Sequence, residues 1–147
     1  MAKDILERYI RLSWDDSGAV LRDLSSDMVP GSLSGPGFTA PEVRMTGVSD
    51  QSENYQADRK DAEVGAQFYM NNTATTGAFT VLSASQGLVG TLQIDFGTGG
   101  APSTGDPRYS GEHILLDTGI AIQGGAMVMD ARWKPGATTA PAWSTVP

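Results

Sequence analysis

A proton-shuttling triad needs an imidazole, and the chain carries a single histidine, His113. Ser110 and Asp117 stand near it in sequence, but the alternation around it reads as a strand. Neighbours along one strand do not converge on a substrate, so a hydrogen-bonded structural or surface histidine is the simpler reading. Paired carboxylates could run glycoside hydrolysis. Asp15, Asp16, Asp95, Glu112 and Asp117 are candidates, but nothing in their spacing selects a pair among 17 acids. Asp15-Asp16-Ser17-Gly18 is too short for a calcium loop, whose ligands spread over about 12 residues, and reads as a turn. Asp58, Asp61 and Glu63 interleave with Arg59 and Lys60, which weakens any cation site. The glycine-rich stretch 31–37 lacks the Gly-Lys-Ser/Thr ending and following helix of a phosphate-binding loop. There is no cysteine, which removes disulfides, thiolate metal sites and cysteine nucleophiles. These residues predict no enzyme and no cofactor, and favour a structural or binding role.

The bulk numbers agree with that role. A chain of 147 residues suggests one domain, 1–147, long enough for a hydrophobic core. Hydrophobic residues make up 39% and charged residues 18%, with a net charge of −7. An acidic surface repels phosphates, which argues against sequence-specific DNA binding but not against DNA that passes without sticking. No basic stripe with interleaved aromatics is present. Charges at Lys3, Asp4, Glu7, Arg8 and Arg11 break up the N-terminus, so it does not read as a signal peptide. No run approaches the roughly 18 apolar residues of a membrane span. The absence of cysteine leans toward a cytosolic origin.

The elements that must carry these residues read mainly as strands. Residues 9–14 alternate, with Ile10, Leu12 and Trp14 on one face, although Ile5, Tyr9 and Leu12 also fit helical spacing. Residues 19–24 and 42–46 resume as strands, separated by a proline- and glycine-rich stretch. From Asp61 the period of two is cleanest: Ala62, Val64, Ala66, Phe68 and Met70 share one face. Residues 76–87 predict the one short helix after the N-terminus, with Thr75 or Thr76 as cap and Gly87 closing it. Residues 88–96 alternate again. Residues 109–118 and 121–123 read as strands with Gly119 between them. Gly124-Gly125 reads as a hairpin turn into residues 126–133, and 143–146 as a last short strand or an arm. Strands, one helix, then more strands predict a mainly β fold, a β-sandwich or β-barrel with one short flanking α-helix.

One segment does not fit a self-contained domain. Residues 48–60, VSDQSENYQADRK, form a polar, charged connection with almost nothing to bury. Connections are usually about 4–6 residues, and those beyond about 12–15 are functional or disordered. The loop, about 47–61, is expected to reach a neighbouring subunit through Asp50, Glu53, Asn54, Tyr55, Asp58, Arg59 and Lys60.

With that loop in view, the chain resembles the major tail tube proteins of long-tailed bacteriophages, a fold family shared with the type VI secretion tube protein. The features that carry the resemblance are YIRLSWDDSGAVLRDLS, the loop VSDQSENYQADRKD, the strand AEVGAQFYMNN, the helix around GAFTVLSAS, and the β-rich end MVMDARWKPG. The resemblance implies a small β-sandwich whose sheets join those of identical copies into a ring. Six copies would close a hexameric ring, and rings would stack into a hollow conduit for genome ejection in a virion tail assembled in the host cytoplasm. It implies arms at about 1–8 and 135–147, a tape measure protein and a tail terminator as partners, no membrane, and DNA that passes without specific binding. Polar strand faces that could line the lumen are Glu42 with Arg44, Glu63 with Gln67, Gln93 with Asp95, and Asp130 with Arg132. Two other readings stay open. One is another virion structural protein, such as a decoration protein, tail terminator or tail-tip component. The other is a small carbohydrate-binding β-sandwich using Trp14, Trp133 or Trp143.

Overall fold

The computed structural model describes residues 6–57, 61–136 and 139–147. Eleven strands and one helix follow in chain order: β1 (Ile10–Asp15), β2 (Leu21–Asp23), β3 (Phe38–Thr39), β4 (Glu42–Arg44), β5 (Tyr55–Ala57), β6 (Asp61–Ala62), β7 (Val64–Tyr69), α1 (Ala78–Ser85), β8 (Val89–Phe96), β9 (Pro107–Gln123), β10 (Ala126–Pro135) and β11 (Ala142–Thr145). Seven of the strands form one antiparallel sheet in the order β2-β1-β8-β9-β10-β7, with β11 also on β9. The expected mainly β fold with one short α-helix is the fold observed.

Alternation places one face of this sheet on the core. Leu12, Trp14, Leu92, Ile94, Tyr109, Leu115, Met129, Ala131, Trp133, Val64, Ala66 and Phe68 are all buried there. Leu24 and the helix residues Ala78, Val81 and Leu82 cover them. Two large side chains span this face: the Trp14 ring of β1 extends over Gly90 of β8 and lies 5.8 Å from the Trp133 ring of β10. Helix α1 is tied to the sheet at its C-terminal end. Trp14 Nε1–H donates to Ser85 Oγ at 2.8 Å, and Gly87 N–H donates to the Leu115 carbonyl at 2.8 Å.

Several local expectations are corrected. The helix starts at Ala78, and neither Thr75 nor Thr76 caps it. Gly77 is the N-cap and makes no side-chain cap bond. The Ala78 amide instead donates to Asp27 Oδ2 at 3.1 Å, so a carboxylate distant in sequence caps the helix. At residues 9–14 the alternation holds over the competing helical spacing: a short 3-10 turn (Glu7–Tyr9) leads into β1. Gly119 does not interrupt β9, which is continuous over 17 residues. Of the two readings of the chain's end, the short strand is the one observed: β11 pairs with Pro107–Ser110 of β9.

The described part of the charged connection has structure of its own. Tyr55–Ala57 pairs with Glu42–Arg44 as a two-stranded ribbon. Its turn is closed by its own acids. Arg44 and Glu53 form an ion pair at 2.8 Å, Thr46 Oγ1–H donates to Glu53 at 2.7 Å, and Asp50 accepts from the Gly47 amide at 2.7 Å. The proposed contact residues Asp50, Glu53, Asn54 and Tyr55 sit on this exposed ribbon. Asp58, Arg59 and Lys60 lie outside the described residues.

A β-bulge in β9 organises the rest. Arg132 of β10 faces Asp117, but the next residue, Trp133, faces Leu115. Leu116 is therefore an extra residue, and an extra residue resets which side chains point to which face. Before it, Tyr109, His113 and Leu115 point to the core; beyond it, Thr118, Ile120 and Ile122 do. Gly124 and Gly125, both at positive φ (54° and 83°), make the tight turn into β10, as the sequence predicts.

Candidate functional site

Directly opposed residues on neighbouring strands project to the same side of a sheet. The register therefore assembles the second face of the sheet without reference to any ligand. One row runs Arg11, Asp95, Arg108, Ser144 across β1, β8, β9 and β11. The next runs Ser13, Gln93, Ser110 and Ala142. Beyond the bulge, Asp117 faces Arg132, and Gly119, Asp130 and Gln67 form a further row. This face is polar nearly throughout, while its opposite carries the core.

The charges on it are organised in two groups. Asp95 is fully buried, with its carboxylate beneath two arginines. Arg11 Nη2 lies 2.7 Å from Oδ2 and Arg108 Nε 2.7 Å from Oδ1. Burial pushes the Asp95 pKa up, but the hydrogen bonds from Arg108 and Arg11 outweigh it and hold the carboxyl below the usual range. The second group is more exposed. Arg132 bonds Asp117 and lies 3.6 Å from Glu63. Lys134 lies 3.1 Å from Asp61 and 3.5 Å from Glu63. The hydrogen bond from Lys134 lowers the pKa of Asp61, and that bond raises the pKa of Lys134 in turn. Gln67 Nε2 donates to Asp130 Oδ1 at 2.8 Å.

Of the residues expected to line a lumen, Gln67, Gln93, Asp95, Asp130 and Arg132 thus share one face, and the Glu63 carboxylate reaches it. Asp95 differs from the expectation in one respect: it does not present its carboxylate to solvent, because the arginines on either side cover it. Glu42 and Arg44 stand apart, on the β4–β5 ribbon. Sequence reasoning did not single out Arg11, Arg108 and Lys134 for this face, and it weighed Asp61 as a cation ligand. Arg11 could have been found from the alternation of β1, which puts it opposite Leu12 and Trp14.

His113 lies on the other side of the sheet and is fully buried. Its Nε2 is 2.8 Å from the Tyr109 hydroxyl and its Nδ1 is 3.1 Å from the Gly111 carbonyl. The carbonyl can only accept, so Nδ1 carries the proton and Nε2 accepts from Tyr109. Both ring nitrogens are engaged, and solvent does not reach them. Trp14 and Trp133 are core residues with no exposed face, and Trp143 is half exposed.

No family model matches the chain, and no curated protein matches its sequence. Solved structures do match its fold. A chain in the cryo-EM structure of the anti-feeding prophage baseplate, six-fold symmetrised, aligns with a TM-score of 0.68 at 9% identity, covering 99% of both chains. A chain in the tail of an empty GTA particle, computed with helical refinement and C6 symmetry, aligns with a TM-score of 0.65 at 14% identity. That alignment covers 97% of this chain and 98% of the other. The chain shares its fold, from end to end, with subunits of two six-fold symmetric particles.

Proposed function

We propose that this chain is a non-enzymatic structural subunit of a phage-type tail, and that it closes into hexameric rings which stack as a hollow tube for genome passage. The observation that carries this reading is the end-to-end match of the fold to chains in two six-fold particles, one of them a tail. The polar face supports it. A closed wall of such sheets would put Gln67, Gln93, Asp130 and Arg132 toward the lumen and leave the core face outside. With a net charge of −7, such a wall repels phosphate and lets DNA slide. In this reading the exposed β4–β5 ribbon meets the next subunit or ring. Its two strands bury nothing within their own chain, and a lone two-stranded ribbon is marginally stable in water. A tape measure protein inside the tube, a terminator at its end, and assembly in the host cytoplasm complete the proposal.

A second reading is favoured by the baseplate neighbour: a ring-forming component of the tail tip, present as one or a few rings. Negative-stain microscopy of the purified protein at rising concentration separates the two. Open-ended tubes with an axial hole support the tube subunit. Single rings that never stack support the tip component. A monomer at every concentration sinks both.

A further inference from the structure

We infer that the outer edge of β11 in one copy pairs, antiparallel, with residues 117–123 of β9 in the adjoining copy. The inference rests on the ring reading above and names the joint that closes it.

The first half of the joint is an overhang. Strand β9 has 17 residues, and β8 flanks only Arg108–Ile114 of it. From Asp117 onward, no strand among the described residues pairs with that edge. The overhang is also apolar on the core side. Ile120, Ile122 and Met127 are 63%, 74% and 60% exposed, whereas Met129, one step nearer the body on the same face, is 4% exposed. The core stripe therefore runs on past the core. The bulge at Leu116 puts it there; without the extra residue, Ile120 and Ile122 would fall on the polar face. Residues 118–123, TGIAIQ, carry none of the lysines, prolines or inward charges that normally guard a free edge.

The second half is β11. It lies on the opposite side of β9, and all four of its residues are exposed. Its outer edge has no strand partner among the described residues. Trp143 projects to the core face, 5.6 Å from Tyr109 and 5.8 Å from Phe96 between ring centroids, and half of it stays exposed.

The two edges complement each other as a rotational joint demands. They face opposite ways across the sheet, so a head-to-tail contact repeated by rotation can bring them together and close a ring. Rotation about the ring axis preserves each strand's sense along that axis. Strand β11 runs antiparallel to β9 within one copy, so it also runs antiparallel to β9 of the next. Trp143 then lands on the same face as Ile120 and Ile122. Strands in closed barrels are tilted by about 35–45°, which accommodates the stagger between the two ends of β9. A second copy of this chain thus supplies a strand of the right sense with an aromatic on the right face.

The chain has no cysteine, so introduced thiols report only on each other. Ser144→Cys and Ala121→Cys lie on the polar faces of β11 and the overhang, away from the apolar contact. The double variant, treated with a short bismaleimide after assembly, should give a covalent ladder reaching six copies, and neither single variant should. In parallel, Ile122→Asp should melt within a few degrees of the wild type while raising the concentration needed for assembly at least about tenfold. Rings that form without the ladder, or an I122D variant that assembles like the wild type, would overturn this joint and leave the ring reading standing. A product that stops at two copies would overturn it as well, since that is the mark of two overhangs paired about a two-fold axis. Absence of any wild-type assembly would overturn the ring reading itself.

Discussion

Asp95 holds arginines from two other strands, and the cost of removing it follows from that geometry. Arg11 and Arg108 keep side-chain exposures of 38% and 18%, so each can partly turn to water once the carboxylate is gone. Asp95→Asn should therefore cost about 2–3 kcal/mol, the loss of charge-assisted bonds, and not the larger penalty of stranding a fully buried ion. Urea denaturation at neutral pH measures it. The pH dependence has a definite sign. The folded pKa of Asp95 is depressed, so its contribution is complete above the unfolded value of about 3.9 and fades as pH falls through the lower folded value. His113 acts in a different window. Burial lowers its pKa, and the bond to the Gly111 carbonyl only partly opposes this. The unfolded chain thus takes up the proton first. Stability is complete above about pH 6.5 and declines as pH falls below it. His113→Gln, which cannot titrate, should remove that slope below about pH 6.5, read as denaturation midpoint against pH.

At the scale of elements, Gly111 decides whether β11 can lie along β9. A Cβ there would run into the backbone of Ala140 and Pro141, so the residues just before β11 rest directly on the backbone of β9. Gly111→Ala should destabilise the fold by about 1–3 kcal/mol, as overpacking does. It should also lift β11, seen as faster amide exchange confined first to residues 142–145. The elements also set how far the sequence could be read. Period-two alternation identified the buried faces of β1, β7 and β8 through Leu12 and Trp14, Val64, Ala66 and Phe68, and Leu92 and Ile94, because apolar side chains there alternate without interruption. It failed at β9, where Leu116 resets the parity and Gly119 reads as a break. It failed again at β5, since Tyr55–Ala57 has no buried face and exists only through pairing with β4. Alternation tells which residues share a face of one strand. It does not tell which strands share a sheet. That is why Gln93, Asp130 and Arg132 could be named but not joined, and why Glu42 and Arg44 were grouped with them. Nor does it reveal what covers a face, so Asp95 looked like a surface acid.

For the whole molecule, the decisive question is which side of the closed wall meets DNA, and charge can be made to answer it. Asp130→Lys adds two units of charge and Gln93→Lys one, so a double variant moves each copy from −7 to −4 and places lysines on the polar face alone. Asp130 is on β10 and Gln93 on β8, not on β9 or β11, whose edges form the proposed joint, so tubes should still form. Neutralising repulsion around a lumen turns a non-stick wall into one that retains phosphates, with binding that weakens as salt releases its advantage. Wild-type tubes pelleted with linear duplex DNA should leave it in the supernatant, and the variant should carry it down at low salt and release it at high salt. Topology then fixes the side. A linear duplex can thread an open tube, whereas a covalently closed circle cannot. If the polar face lines the lumen, the variant retains the linear form and not the circle. Equal retention of both forms would put that face on the outside of the wall and reverse the orientation argued here.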